Sequence, residues 1–535
     1  MAQPNFLFFV TDQQRYDHVG YAGTPLLKTP NIDSLAENGA WFSRFYVSSP
    51  TCMSSRATMM TGRMPSLHGV RMNGVPLNLD SVTFVDLLRA AGYRTSLIGK
   101  CHIQSMLEAK SMVPETKFPD GLQAPPPDLA EAMRNHHDPQ RYTVEMQEVW
   151  ARTPDKADQI ELPYYGFDHV DFVMGHGDLV AGHYNNWLRQ QGGGDVARGI
   201  DNARETSDVN APQVYRPELD EERYPTRYIG NQTVSWLEQY AAQSTDEPFF
   251  IQCSFPDPHH PFTPPGDYYS MYSPDEVALP DSFYTPSKEA IPPVRLLWEE
   301  YESGQESKRW TWPFATGEAE TRDITAKTFG QITMIDDAIG QVLSALDRLG
   351  LRDNTVLVFF SDHGDYLGDH KLMLKGPMHY QSIIRVPFVW SDPDPSFHCG
   401  RNDAMTSILD LAKTVLYRAG LQPFNGIQGE DLYSVMDGSN QLADRSILIE
   451  STTQFPYLGF DDVVSVTSLV DQRWRLSIWQ GCEWGELYDV ENDPGEIVNL
   501  WDDPNYSDVL RQLLHRLALR TQDHAETSPY PTSVS

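Results

Sequence analysis

The sequence predicts an α/β protein: a large, mostly parallel sheet with helices on both faces, followed by a small α+β domain built on an antiparallel sheet. Two observations carry this. Short apolar runs rich in β-branched and aromatic residues alternate with amphipathic helical patterns along most of the 535 residues, which is the pattern of strands buried under helices. Beyond about residue 440 the pattern switches to a period of two, as in an antiparallel strand.

The elements follow in order. Phe6–Thr11 reads as a buried strand. Thr29-Pro30 opens a helix, with Thr as N-cap, Pro at the first helical position, Ile32, Leu35 and Ala36 on one face and Gly39 as the stop. Thr83–Ala91 repeats that form, and Tyr93–Gly99 is the next strand. From about 104 to 228 the chain is rich in Pro, Asp, Glu, Asn and Gln and contains Gly192-Gly193-Gly194. This is a long surface excursion holding short helices, suited to a lid or an oligomer contact. Strand order resumes at Glu247–Phe255, and a second polar excursion spans about 273–321. An amphipathic helix from Ile324 to Leu349 carries Ile332, Ile335, Ile339, Val342, Leu343 and Leu346 on one stripe, and Val356–Ser361 is a strand. Arg473–Trp479 alternates with period two, Asn492-Asp493-Pro494-Gly495 is a turn, and Val509, Leu510, Leu513, Leu514 and Leu517 mark a closing helix. The expected division is a catalytic domain over 1–440 and a C-terminal subdomain over 441–535.

Hydrophobic residues at 40% and charged residues at 21% are ordinary globular usage and exclude a disordered chain, a collagen repeat or a coiled-coil rod. Against 74 acidic residues stand 41 Lys and Arg, a net charge of −33. Such a surface repels a phosphate backbone and an anionic membrane, so neither nucleic acid nor membrane is an expected partner. An anionic substrate would need a local cationic pocket. No run approaches the ~20 apolar residues of a membrane span. The apolar run Phe6–Val10 is too short for a secretion signal, so the expected location is the cytoplasm. Cys52, Cys101, Cys253, Cys399 and Cys482 fit neither a disulfide framework nor a CxxC zinc pattern.

The chemistry gathers after the strands. Asp12-Gln13 follow the first, Lys100 and His102 the second, Asp257, His259 and His260 the third, and Asp362-His363-Gly364-Asp365 the fourth. In a parallel sheet these ends share one edge, where ligands bind. Asp12, Gln13, Asp362 and His363 offer mostly oxygen donors with one imidazole, a set for Ca²⁺, Mg²⁺ or Mn²⁺. Each carboxylate alone equally suits a helix cap; together, with His363 alongside, they favour a metal. Cys52 stands at the start of a short helix ended by Gly62, where the dipole favours thiolate and bound anions, and Arg56 lies one turn on. The plainer reading of a lone cysteine is a buried structural one. Asp365 reads as a cap, Asp336-Asp337 as a solvated helix face, His260 as an orientation partner or surface residue, and His370 and His379 as residues that could line the pocket.

Cys52-Met53-Ser54-Ser55-Arg56 with Thr61-Gly62-Arg63 resembles the C-x-P-S-R…T-G-R signature of the sulfatase family in the alkaline-phosphatase superfamily. Further blocks match in order: Val10-Thr11-Asp12-Gln13, Thr29-Pro30-Asn31-Ile32-Asp33, Gly99-Lys100-Cys101-His102, Pro258-His259-His260-Pro261-Phe262, Ser361-Asp362-His363-Gly364-Asp365 with Lys375, and Glu486-Leu487-Tyr488-Asp489 with Asp493-Pro494-Gly495-Glu496. The resemblance implies an alkaline-phosphatase-like fold and a metal-dependent sulfatase acting on a small anionic ester.

By that resemblance Cys52 is oxidised to formylglycine by a maturation enzyme, and its hydrate is the nucleophile. Asp12, Gln13, Asp362 and His363, with the modified Cys52, hold one Ca²⁺ or Mn²⁺. Arg56 and Lys100 steady the hydrate, His259 and Lys375 serve the leaving oxygen, His102 is the base that re-forms the aldehyde, and Asn73 contacts substrate. Relatives are often dimers or tetramers, which implies a homo-oligomer.

Three positions depart from the pattern. Ser54 stands where the motif has Pro or Ala, and maturation enzymes read that motif. Gln13 and His363 replace the Asp and Asn of many sulfatases, a pairing that resembles phosphonate monoester and phosphodiester hydrolases and choline-sulfatase-like enzymes. The alternative functions are therefore a phosphonate monoester or phosphodiester hydrolase, and, in another class, a non-catalytic metal or anion binder with unmodified Cys52.

Overall fold

The first strand, β1 (Asn5–Thr11), is buried along its whole length. Phe6, Phe8 and Val10 point into one apolar cluster and Leu7 and Phe9 into another, so both faces of the sheet are covered. Each such side chain contributes about 1.5–3 kcal/mol by leaving water. The computed structural model describes residues 3–107, 141–153, 156–193, 197–207, 209, 211, 213–284, 290–308, 312–397, 399–440, 442 and 444–527.

Among the described residues nine strands form the central sheet. Besides β1 they are β2 (Ala40–Phe42), β3 (Arg94–Gly99), β4 (His169–Met174), β5 (Ala181–Gly182), β6 (Phe249–Ser254), β7 (Thr355–Ser361), β8 (Phe388–Ser391) and β9 (Gly400–Asn402). Their order across the sheet is β9-β2-β8-β7-β1-β6-β3-β4-β5. The central run β7, β1, β6, β3 and β4 is parallel throughout. Antiparallel pairings occur only toward the edges, at β7–β8, β8–β2 and β4–β5. The carboxyl ends of all five central strands therefore lie on one edge.

β4 and β5 fall within the first polar excursion. The sequence pattern there is weak because these strands sit near the sheet edge and His169 is exposed. The excursion also carries the short helices Gln147–Arg152 and His183–Leu188 and the start of a long one, Pro225–Ala242. Residues 108–140 of the first excursion, Gly194, and 285–289 and 309–311 of the second lie outside the described residues.

The helices bear out the sequence reading with informative shifts. α1 (Pro30–Glu37) starts after Thr29, but Thr29 makes no side-chain cap. Asp336 takes that role from across the interface. Its carboxylate accepts from the Asn31 and Ile32 N–H groups at 3.1 and 2.7 Å. Asp336 is fully buried, which corrects the expectation of a solvated Asp336-Asp337 face; only Asp337 is exposed. α2 (Cys52–Thr61) ends at Gly62 in a left-handed C-cap, φ 62°. α3 (Phe84–Ala90) has Thr83 and Asp86 as a capping box. α4 (Glu318–Arg348) begins earlier than the apolar stripe implies, because Gly317 precedes two first-turn glutamates suited to a helix N-terminus.

Four antiparallel strands, Ile447–Thr452, Ser465–Val470, Trp474–Trp479 and Gly485–Asp489, make the second sheet. The helix Ser507–Asp523 packs Leu513 and Leu517 against Leu469, Leu476 and Leu487. The Glu450 N–H donates to Ser48 O at 2.9 Å, and the Gln381 N–H to Glu496 Oε2 at 2.7 Å, tying this sheet to the region beside α2. Among the described residues no helix is long and apolar enough to cross a membrane, and all five cysteines are free.

Candidate active site

The strand-end residues meet at one point. Asp12 follows β1, Lys100 follows β3, His259 comes from the loop after β6, and Asp362-His363 follow β7. α2 enters from the side and presents Cys52 as its first residue. Cys52 Sγ lies 3.0 Å from His363 Nε2, 2.9 Å from Lys375 Nζ and 3.9 Å from Asp12 Oδ1. One ligand atom each from Asp12, Cys52, Asp362 and His363 falls within 4.8 Å of the others.

Tautomers are set by neighbours that can only accept. His363 Nδ1 lies 2.9 Å from Gly364 O, so the ring proton sits there and Nε2 turns its lone pair to the cluster. His259 Nδ1 is likewise 2.6 Å from His260 O, leaving Nε2 toward Lys375 Nζ at 2.9 Å.

Arg56 is fully buried and directed at the carboxylates rather than at the thiol. Nε donates to Asp362 Oδ2 at 2.7 Å, Nη2 to Asp12 Oδ2 at 3.4 Å, and Nη1 to Lys100 O and Ser254 Oγ at 3.1 and 3.0 Å. Lys100 Nζ donates to Asp12 Oδ2 and faces His176 Nε2 at 2.7 Å.

Charges dominate the local electrostatics. Burial pushes Asp12 up, but Lys100, Arg56 and Lys375 outweigh it and hold the carboxyl well below its usual range. Burial and Asp12 push the Cys52 thiol up, while Lys375, His363 and Lys100 bring it below the ordinary thiol value. Burial disfavours a charge on Lys375, yet Cys52 and Asp12 raise it above an ordinary lysine. Burial, reinforced by nearby cations, keeps His102, His176 and His259 well below an ordinary imidazole, hence neutral.

The family model described as Sulfatase matches residues 4–162 and 175–421, three quarters of the chain. The chain belongs to the sulfatase family. A second model, N-sulphoglucosamine sulphohydrolase C-terminal, matches this sulfatase-family chain over 368–523. An uncharacterised sulfatase, YidJ, of Escherichia coli K12 is 28% identical over 98% of this chain and 88% of its own length. An arylsulfatase of Clostridium perfringens is 27% identical over 96% of this chain and 94% of its own. The solved phosphonate monoester hydrolase of Agrobacterium radiobacter superposes with TM-score 0.73 at 24% identity, covering 97% of this chain and 96% of that one. At that identity the likeness shows the alkaline-phosphatase-like fold.

Of the site residues expected from sequence, Asp12, Cys52, Arg56, Lys100, His259, Asp362, His363 and Lys375 are joined by these contacts. Gln13 fits a ligand role through an orphaned atom. Its N–H donates to Asp362 Oδ1 at 3.2 Å and its Nε2 donates to Asp365 and to His260 Nδ1, while the buried Oε1 has no hydrogen-bond partner among the described residues. A cation next to Asp12, Asp362 and His363 Nε2 is the partner this donor set suits. Asp365 serves as a turn acceptor for the Leu367 N–H at 2.9 Å and as a hold on Gln13. His260 is buried and an orientation partner, not a surface residue. Asn73 Oδ1 accepts the Met53 N–H at 3.2 Å, which places its amide beside the start of α2. His102 has φ 58° and a buried Nδ1 without a hydrogen-bond partner among the described residues.

His370 and His379 lie elsewhere. His370 stacks on Tyr380 at 3.8 Å, and His379 bonds Ser468 and Ser451, both at 2.7 Å, under the second sheet. Two residues in the first excursion were not signalled as site residues. Glu145 accepts from the His102, Ile103 and Gln104 N–H groups, and His176 touches Lys100. For His176 a signal existed: it follows β4 at the same sheet edge. It was hidden because β4 itself was not recognised.

Proposed function

We propose that this sulfatase-family hydrolase cleaves sulfate monoesters at Cys52. The observation that carries the reading is the placement of Cys52 Sγ at the N-terminus of α2, in contact with both His363 Nε2 and Lys375 Nζ. Oxidised to formylglycine, this side chain supplies the attacking hydroxyl as an aldehyde hydrate. Asp12, Gln13, Asp362, His363 and the modified Cys52 would hold a Ca²⁺ or Mn²⁺ ion, which would supply charge neutralisation and a lowered hydroxyl pKa.

The chain's own residues do the rest. Arg56 sets the two ligand carboxylates in register, and Lys100 balances Asp12 beside it. Lys375, with the ion, would offer positive charge to the three non-bridging oxygens of a tetrahedral sulfate ester. Lys375 Nζ holds a proton beside Cys52 Sγ and His259 Nε2 aims it, so together they serve the leaving oxygen. His102 Nδ1, buried, neutral and without a hydrogen-bond partner among the described residues, is the acceptor for the proton released when the nucleophile is regenerated. Asn73, beside the start of α2, contacts the bound ester.

The test is the mass of the tryptic peptide Phe45–Arg56, which contains Cys52, from protein made in its native host. An aldehyde mass supports the reading. A clean thiol mass would mean that Ser54 blocks maturation and would bring forward a non-catalytic anion binder. A second reading, hydrolysis of phosphonate monoesters or phosphodiesters, is favoured by the Gln13 and His363 pair among the ligand candidates. Aryl phosphonate esters turning over with higher kcat/KM than aryl sulfates would promote it.

A further inference from the structure

We propose that His176 is a positioning residue of this site, closing a column of stacked imidazoles that fixes the His259–Lys375 pair over the reacting atoms; the proposal rests on the reaction read above. The His176 and His259 rings stack at 3.6 Å between centroids and 13° between planes, and His259 and His260 follow at 3.9 Å and 30°. Both ends of the column are tied to the ligand cluster. His176 Nε2 is 2.7 Å from Lys100 Nζ, which donates to Asp12, and His260 Nδ1 is 3.2 Å from Gln13 Nε2. His259, in the middle, points Nε2 at Lys375 Nζ, which touches Cys52 Sγ.

The backbone holds His176 in place. Gly175 and Gly177 flank it with φ 99° and 54°. A Cβ on Gly177 would meet Thr263 Oγ1 at 2.7 Å and Pro261 Cγ at 2.9 Å, so this turn is pressed against the segment that carries His259 and His260. Accepting from Lys100 at Nε2 leaves the His176 proton on Nδ1. His176 thus makes two separable contacts: an acceptor for Lys100 and an apolar face for His259.

Three variants separate them. His176→Ala removes both contacts, His176→Phe keeps the face, and His176→Gln keeps an acceptor. Each is assayed in metal-loaded, matured enzyme on aryl sulfates of graded leaving-group pKa, and the Ala and Phe crystal structures are solved. The expected result for His176→Ala is a kcat loss of about 10- to 100-fold, KM within about threefold, and a deficit that steepens as the leaving group becomes more basic. The His259 ring should be displaced in the Ala structure. His176→Phe should keep the ring in place and recover most of the loss on basic leaving groups, which His176→Gln should not. A loss that is within twofold, or equal for all leaving groups, would overturn the proposal. If the wild type turns over no ester in the panel, the functional reading fails on its own account. The positioning claim is then judged by the structures, where an unmoved His259 in the Ala variant would sink it.

Discussion

The Glu145 carboxylate holds the loop that carries His102. It accepts the backbone N–H of His102 at 2.5 Å, of Ile103 at 3.3 Å and of Gln104 at 3.2 Å, and the Tyr164 hydroxyl donates to it at 2.7 Å. Those donors hold a carboxylate that is fully buried. Glu145→Ala leaves three amides without their acceptor, at about 1–3 kcal/mol for each one that stays buried. The expected outcome is a lower melting temperature and a kcat reduced at least about tenfold, with Glu145→Gln in between. Steady-state kinetics beside calorimetry checks it; wild-type kcat in the Ala variant would remove Glu145 from the positioning of His102.

Metal binding should depend on Asp362. Its Oδ2 is bonded to Arg56 and its Oδ1 lies 3.7 Å from His363 Nε2. Asp362→Asn removes a charged donor, and metal affinity should fall by at least about tenfold. Elemental analysis after dialysis reads this directly. A stoichiometry equal to wild type would exclude Asp362 as a ligand. Removing Asp362 also leaves the buried Arg56 with a weaker counter-charge, so stability should drop in the same variant.

Asp336 should matter for stability and not for turnover. It caps α1 from the middle of α4, so Asp336→Ala leaves the Asn31 and Ile32 N–H groups unpaired. A loss of about 1–3 kcal/mol in urea unfolding is expected, with kcat of the remaining folded enzyme within twofold. Unchanged stability would mean that water replaces the carboxylate.

Acid should destabilise the protein through buried neutral histidines remote from the metal ligands. Burial lowers His370 to about 4 and His379 to about 3. The unfolded chain takes up their protons as pH falls below about 6.5, and the folded chain does not until about 4 or 3. Their contribution is therefore complete above pH 6.5 and is lost as pH falls toward 4. Each adds a slope of up to about 1.4 kcal/mol per pH unit. Urea unfolding at pH 7 and pH 5 checks it: His379→Gln should flatten the dependence by about one proton, and an identical slope would refute the assignment.

The strand ends are legible in the chain's local pattern. β1 and β7 are continuous apolar runs, β6 opens on Phe249-Phe250-Ile251 and β3 closes on Leu97-Ile98-Gly99, and the polar residue after each one is what a parallel sheet delivers to a shared edge. Asp12, Lys100, His259 and Asp362 were legible for that reason, and Cys52 through its place at a helix start. The tertiary structure alone decided the partners that act across long separations. Glu145 lies in polar, weakly periodic chain, where no local pattern reveals that three amides wait elsewhere, and His176 follows an edge strand whose weak pattern says nothing of the imidazoles it meets. Asp336 looked solvated because its helix position says nothing of the α1 amides 304 residues away. His370 and His379 were histidines near the right motif, and only the docking of the second sheet drew His379 to Ser451 and Ser468 and away from the site. Periodicity reports which face of an element is buried; which polar group meets it there is a property of long-range packing.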